Sequence, residues 1–339
     1  MNADPAPRID ATPPRDRLER MQALVRDELG RVNAVILREM ESPVALIPQL
    51  ARHLVGAGGK RVRPLLTLIS GRMCGYSGER HVNLAACVEF IHTATLLHDD
   101  VVDASDLRRG RETANALWGN KAPVLVGDFL FSRAFQLMVA DGNLDVLRIL
   151  SNASAVISEG EVLQLLTAND STTTEAAYFE MIEAKTAKLF EAAAEIGAVV
   201  ADRPSAEAAA LAAYGRHIGV AFQLIDDALD YGADDEAFGK TVGDDFADGK
   251  VTLPVVLAYA AGDPEERRFW ERVIDRGEQC DGDLDRALEI LHRHDAIAAT
   301  IRRAEERGEA ARRALDRFAP STERAAMLDL VDFCIERAY

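Results

Sequence analysis

Two five-residue runs, DDVVD at 99–103 and DDALD at 226–230, each close an apolar stretch. On a helix Asp99 and Asp103 stack one turn apart and Asp100 lies about 100° round, so three carboxylates crowd one side. Asp226, Asp227 and Asp230 repeat that geometry. One such cluster would ordinarily be a solvated helix end. Two of them, each followed by a basic loop, could face one another across a helical barrel and bind several Mg²⁺ through oxygen ligands. Magnesium keeps some of its waters and takes one or two carboxylates plus substrate phosphate oxygens, which points to a diphosphate between the clusters. Basic residues stand ready for such an anion. GGKRVRP at 58–64 offers Lys60 and Arg63 beside a flexible turn, and Arg108 and Arg109 follow the first cluster. Glycine permits close backbone approach, and arginine gives forked hydrogen bonds to phosphate oxygens.

The elements that must position these residues read as helix after helix. Apolar residues recur at helical spacing, as in Leu84, Cys87, Val88, Ile91 and Thr95. The pattern predicts helices over 16–41, 43–55, 62–73, 80–103, 121–140, 144–168, 175–197, 205–231, 252–261, 264–276, 283–305 and 307–338. Pro64, Pro123, Pro204, Pro254 and Pro320 fall near the starts, where proline is tolerated. The longest break, 232–251, is rich in glycine and aspartate, and a loop of that length inside a helical domain is more often functional than idle. No composition shift or linker divides the chain. Residues 1–14, with four prolines, are expected to be a disordered tail, and 15–339 a single helical domain.

With 48% hydrophobic and 28% charged residues the chain suits a globular protein with a sizeable core. A net charge of −17 supplies no broad favourable field for nucleic acid, so an anionic ligand must be held by local basic groups or metal. Cys74, Cys87, Cys280 and Cys334 are scattered, without zinc-type or disulfide-framework spacing. No secretory segment and no uncharged run of membrane-span length is apparent, so a cytoplasmic location without integral membrane association is expected.

The chain resembles the trans-prenyl diphosphate synthases, which condense isopentenyl diphosphate head to tail with an allylic diphosphate. The resemblance runs from roughly residue 45 to 260. It rests on GGKRVRP, FIHTATLLHDDVVDASDLRRG, AKT at 184–186, FQLIDDALD, GKTVGDD and GKVTLP, in that order. It implies an all-α fold, a single large helical bundle or barrel of the isoprenoid synthase type with a central active-site cavity, and a homodimer. It also implies about three Mg²⁺ per site, two on Asp99, Asp103 and Asp100 and a third on Asp226 with Asp227 and Asp230 near. Arg108, Lys185, Thr186, Gln223, Lys240 and Lys250 match positions at the allylic diphosphate. Lys60, Arg63, His92 and Arg109 match the isopentenyl diphosphate site. Asp99, Asp103, Lys185, Asp226 and Lys240 are the groups expected to drive ionisation. The chemistry is consistent with this: an allylic C–O bond ionises when charge building on the departing diphosphate is stabilised, and the cation then meets a double bond held beside it.

Ala94 and Thr95, about one turn before Asp99, are small, and Ile91, Val88 and Cys87 further back are not aromatic. An open apolar tunnel is therefore expected, giving a product of about eight to ten isoprene units for quinone tails, unless Phe129, Phe131 and Phe135 close its floor. A shorter-chain synthase is the alternative. A terpene cyclase would leave Lys60 and Arg63 without a second diphosphate. A carboxylate-bridged di-iron protein could use the E-x-x-H pairs Glu89/His92 and Glu289/His292, but it leaves both aspartate runs unexplained. A non-catalytic subunit of the same fold would be expected to lose one acidic run.

Overall fold

The computed structural model describes residues 14–56, 59–108, 111–232 and 242–337. Its helices are α1 (Pro14–Leu24), α2 (Arg26–Glu39), α3 (Leu46–Gly56), α4 (Val62–Met73), α5 (Arg80–Val102), α6 (Ala114–Trp118), α7 (Lys121–Asp141), α8 (Leu144–Thr167), α9 (Glu175–Ile182), α10 (Lys188–Val200), α11 (Ser205–Gly232), α12 (Asp244–Ala247), α13 (Leu253–Ala261), α14 (Pro264–Trp270), α15 (Asp283–Arg293), α16 (Ala296–Ala314) and α17 (Thr322–Glu336). A two-residue antiparallel ribbon, β1 (Leu107–Arg108) with β2 (Arg111–Glu112), follows the first acidic run. The fold is all-α, as expected. Polar side chains start several helices: Asn143 accepts from the Asp145 and Val146 amides at α8, and Asp263 with Glu266 forms a capping box at α14.

Three helices form the middle of the bundle. α5 buries Leu84, Cys87, Val88, Ile91 and Ala94 completely and packs along α7. α10 lies between α4, α8 and α11, and α11 in turn packs on α16. Glycine lets backbones approach at two of these crossings. A Cβ on Gly197 of α10 would sit 2.4 Å from the Cβ of Ser70 in α4, and one on Gly215 of α11 would sit 2.3 Å from the Phe190 carbonyl oxygen of α10. At the chain ends α1 docks on α17 through Arg17, 5% exposed, whose guanidinium donates to Asp332 at 2.7 Å and Glu336 at 2.9 Å.

Several expectations are corrected. The 16–41 helix divides at Val25, and 175–197 is interrupted by a π turn, Glu183–Ala187, before running on to Val200. The helix expected over 283–305 ends at Arg293, where Asp295 takes a left-handed conformation (φ 53°), and α16 then runs unbroken through 305–307. No glycine or proline marks that reversal. Among the described residues α7 is the one helix long and apolar enough to cross a membrane by length and composition, with Asp128 and Arg133 inside it. Its composition serves two faces. Val126, Leu130, Ala134 and Met138 are buried against the bundle, whereas Leu125, Phe135 and Val139 are exposed.

Candidate active site

Asp99, Asp100 and Asp103 at the end of α5 and Asp226, Asp227 and Asp230 at the end of α11 line one cavity of about 1340 Å³. Lys60, Arg63, His92, Arg108, Lys185, Thr186, Gln223 and Lys250 line it as well. Arg109 and Lys240 lie outside the described residues. α5 is buried nearly all round between His81 and Ile91 and α11 buries its apolar side, and each brings its acidic C-terminal turn to the same cavity.

The two acidic runs are not alike within themselves. Asp99 is mostly buried, and burial raises its carboxyl above the usual carboxylate range; Lys185 opposes this from 3.7 Å, and Asp103 adds to it. Asp103 lies 3.9 Å from the Lys250 ammonium. Asp100 instead turns into the protein, 4% exposed, and accepts from Arg108 Nε at 2.7 Å. In the second run Asp226 pairs with Arg337, the residue after α17. Asp227 is buried and accepts from the Tyr178 hydroxyl and from Gln223 Nε2, the latter at 2.8 Å. Burial, then Asp245, push its carboxyl up to about 7. Asp230, also buried, accepts from the Asp245 amide at 3.0 Å and so fixes the return of the chain into α12.

Lys185 and Thr186 are presented by the π turn 183–187, an irregularity often found at functional sites. Glycines flank it closely. A Cβ on Gly160 of α8 would sit 2.8 Å from the Lys185 amide nitrogen, and one on Gly219 of α11 would sit 2.6 Å from Ala187 Cα. The Lys185 ammonium donates to Glu161 Oε2 and Gln164 Oε1, both at 2.7 Å. Thr186 Oγ1 donates to Gln223 Oε1 at 3.0 Å, extending the chain of bonds that ends on Asp227. Lys250 is pulled down by burial but held above its ordinary value by Asp248, Asp245 and Asp103.

Lys60, Arg63 and His92 form a further group on the cavity lining. Arg63 Nη1 donates to His92 Nε2 at 3.1 Å and its guanidinium lies 4.4 Å from the Phe190 ring centroid. The Lys60 ammonium lies 5.2 Å from Phe333 and 6.0 Å from Phe222, and Arg337 stacks on the same two rings at 5.9 and 4.8 Å. The two cations thus share one aromatic slot, and Arg337 is at the same time paired with the Asp226 carboxylate.

A family model described as polyprenyl synthetase matches residues 44–291. The chain belongs to this family. Octaprenyl diphosphate synthase of Escherichia coli is 47% identical over 320 residues, covering 94% of this chain and 99% of that protein. Among solved structures, a decaprenyl diphosphate synthase from Rhodobacter capsulatus is 49% identical with TM-score 0.91, covering 95% of this chain and 99% of its own. A polyprenyl synthase from Caulobacter crescentus, complexed with calcium and isoprenyl diphosphate, is 48% identical with TM-score 0.92, covering 98% and 100%. As a polyprenyl synthetase, this chain is a prenyltransferase with the isoprenoid synthase fold.

Several residues of this polyprenyl synthetase site were not legible in its sequence. Arg337 lies beyond any motif, and Glu161, Gln164 and Tyr178 pass as ordinary helix residues. Only the three-residue spacing of Glu161 and Gln164, which places both on one face of α8, could have hinted at a shared partner. The di-iron reading fails: Glu89 pairs with Arg61, His92 accepts from Arg63, and Glu289 pairs with Arg286 on the exposed face of α15.

Proposed function

We propose that this polyprenyl synthetase is a long-chain trans-polyprenyl diphosphate synthase, joining isopentenyl diphosphate head to tail to an allylic diphosphate and giving about eight to ten isoprene units. The observation that carries the reading is the convergence of two aspartate runs, far apart in sequence, with two groups of cations on one cavity. Similarity to octaprenyl and decaprenyl diphosphate synthases supports the length.

The donor set fits magnesium. Among the described residues no three His, Cys, Asp or Glu side chains already form a metal site. Hard carboxylate oxygens on facing walls suit an ion that takes one or two of them and completes its shell with water and phosphate oxygens. Asp99, Asp103 and Asp226 are the proposed ligands, with Asp100, Asp227 and Asp230 orienting Arg108, Gln223 and the Asp245 segment; about three ions per site are proposed. Bound Mg²⁺ would neutralise charge developing on the departing diphosphate.

The chain's own residues do the rest. Lys185, steered by Glu161 and Gln164, and Lys250, steered by Asp245 and Asp248, aim their ammonium groups at the allylic diphosphate, as Arg108 does its guanidinium. Lys240 and Arg109, in the adjoining segments, are proposed to join them. Lys60, Arg63 and His92, with Arg337, hold the second diphosphate, so that the double bond lies against the allylic carbon. Proton loss to the released diphosphate then closes each cycle.

Thr95 lines the cavity, whereas Ala94, Ile91, Val88 and Cys87 are packed in the core. Phe129, Phe131 and Phe135 stand outside the lining. The length reading is therefore carried by Thr95 and the relatives, and the other small residues serve helix packing. We also propose a homodimer formed through the exposed Leu125, Phe135 and Val139 of α7 with Val162 and Leu166 of α8; light scattering showing a monomer at micromolar concentration would refute it. The catalytic unit is taken as 15–339, and a cytoplasmic location is proposed with it.

Incubation with farnesyl diphosphate and labelled isopentenyl diphosphate tests the reading. Long-chain product that disappears when magnesium is chelated is expected. Product halting at fifteen or twenty carbons refutes the length, and no condensation refutes the activity.

A further inference from the structure

The loop that delivers Lys60 and Arg63 is held by a contact that none of the proposed ligands makes. Arg61 lies between them, at the start of α4, with φ of 50°. A left-handed arginine persists only where its surroundings over-determine it. Those surroundings are visible. The Arg61 carbonyl accepts from the Leu65 amide at 3.0 Å, which begins the helix. The Arg61 guanidinium is ion-paired with Glu89, a carboxylate only 8% exposed on α5. Glu89 precedes His92 by three residues and so shares its face of the helix. One turn of α5 therefore engages the loop twice, Glu89 taking Arg61 and His92 taking Arg63.

A buried carboxylate beside the cations that receive a diphosphate opposes the anion by its charge. Its worth must lie elsewhere. We infer that Glu89 is a positioning residue: through Arg61 it fixes the 59–63 segment so that Lys60 and Arg63 converge on the isopentenyl diphosphate before it arrives. Lys60, Arg61 and Arg63 would otherwise repel one another in the empty site, and Glu89 offsets that repulsion while holding the middle cation away from the ligand. The inference rests on the functional reading above.

The test compares Glu89→Gln, which keeps size but not charge, with wild type and with the exchanged pair Arg61→Glu/Glu89→Arg. KM for isopentenyl diphosphate and for farnesyl diphosphate is measured separately, with direct calorimetric binding of isopentenyl diphosphate and the melting temperature. E89Q is expected to raise KM and Kd for isopentenyl diphosphate about tenfold, because the 59–63 segment is then no longer fixed before the ligand arrives. KM for farnesyl diphosphate should move much less, and the exchanged pair should recover part of the loss. Unchanged isopentenyl diphosphate binding in E89Q, or an equal rise in both KM values, overturns the inference. If E89Q does not fold, Arg61→Gln, which removes the other charge of the pair, serves in its place, with the same outcomes deciding. Wild-type enzyme that neither binds nor consumes isopentenyl diphosphate overturns the functional reading and this inference together.

Discussion

Replacing Asp227 by Asn should flatten the pH dependence of stability in metal-free enzyme. The Asp227 carboxyl is held neutral up to about 7, mainly by burial and secondly by Asp245, against an ordinary value of 3.8. Between those values the folded chain binds a proton that the unfolded chain has released, so stability falls as pH rises through that window. The contribution is fully present below 3.8 and gone above about 7. A displacement of roughly three pH units corresponds to at most about 4 kcal/mol. In a chain of this size that is a change of several degrees in melting temperature. Thermal unfolding followed from pH 4.5 to 8.5 in EDTA measures it. Glu161, pushed up to about 7 by burial and then by Asp99, contributes with the same sign in both proteins. Subtracting the D227N curve from the wild-type curve therefore isolates Asp227. Wild type should lose melting temperature relative to D227N as pH climbs from 4.5 to 7. Parallel curves would show that Asp227 is ionised throughout and that the account of its pocket is wrong.

Three further outcomes are expected. Arg337→Ala removes the cation that pairs with Asp226 and shares the aromatic slot with Lys60, and should raise KM for isopentenyl diphosphate about tenfold or more in steady-state assays. Gly160→Ala places a methyl 2.8 Å from the Lys185 amide, so kcat should fall by about 10- to 100-fold through displacement of the π turn; full activity would mean that the turn yields freely. Thr95→Phe sets a ring into the cavity wall one turn before Asp99, and chromatography of the products should show shorter chains.

Spacing alone revealed the acidic runs, because an i, i+4 pair on a helix is a local property and the amphipathic pattern places the run at a helix end. It also located the 58–64 loop, through glycines and closely spaced cations. What stayed hidden depends on approach between distant segments. Arg337 meets Asp226 across 111 residues, and Tyr178 reaches Asp227 across 49. Nothing in either neighbourhood announces a partner. Within each run neighbouring carboxylates part for a local reason: residues one position apart lie about 100° round the helix, so Asp100 and Asp227 reach Arg108 and Gln223 while Asp99 and Asp226 reach Lys185 and Arg337. The same rotation sends Ala94 into the core and leaves Thr95 on the wall. The α15–α16 boundary escaped because the reversal at Asp295 uses a left-handed aspartate in place of glycine.

The π turn has a consequence for how the enzyme tolerates sequence change. A wider turn accommodates one residue beyond regular helical count, and each residue is worth about 100° of rotation. Deleting a single residue from 183–187 could give a smoother, fully α-helical rod and yet swing Lys185 or Phe190 out of phase with its neighbours across the bundle. Insertions and deletions in this stretch would thus spoil the phase of two helices at once, while substitutions that leave its length alone spoil one contact at a time.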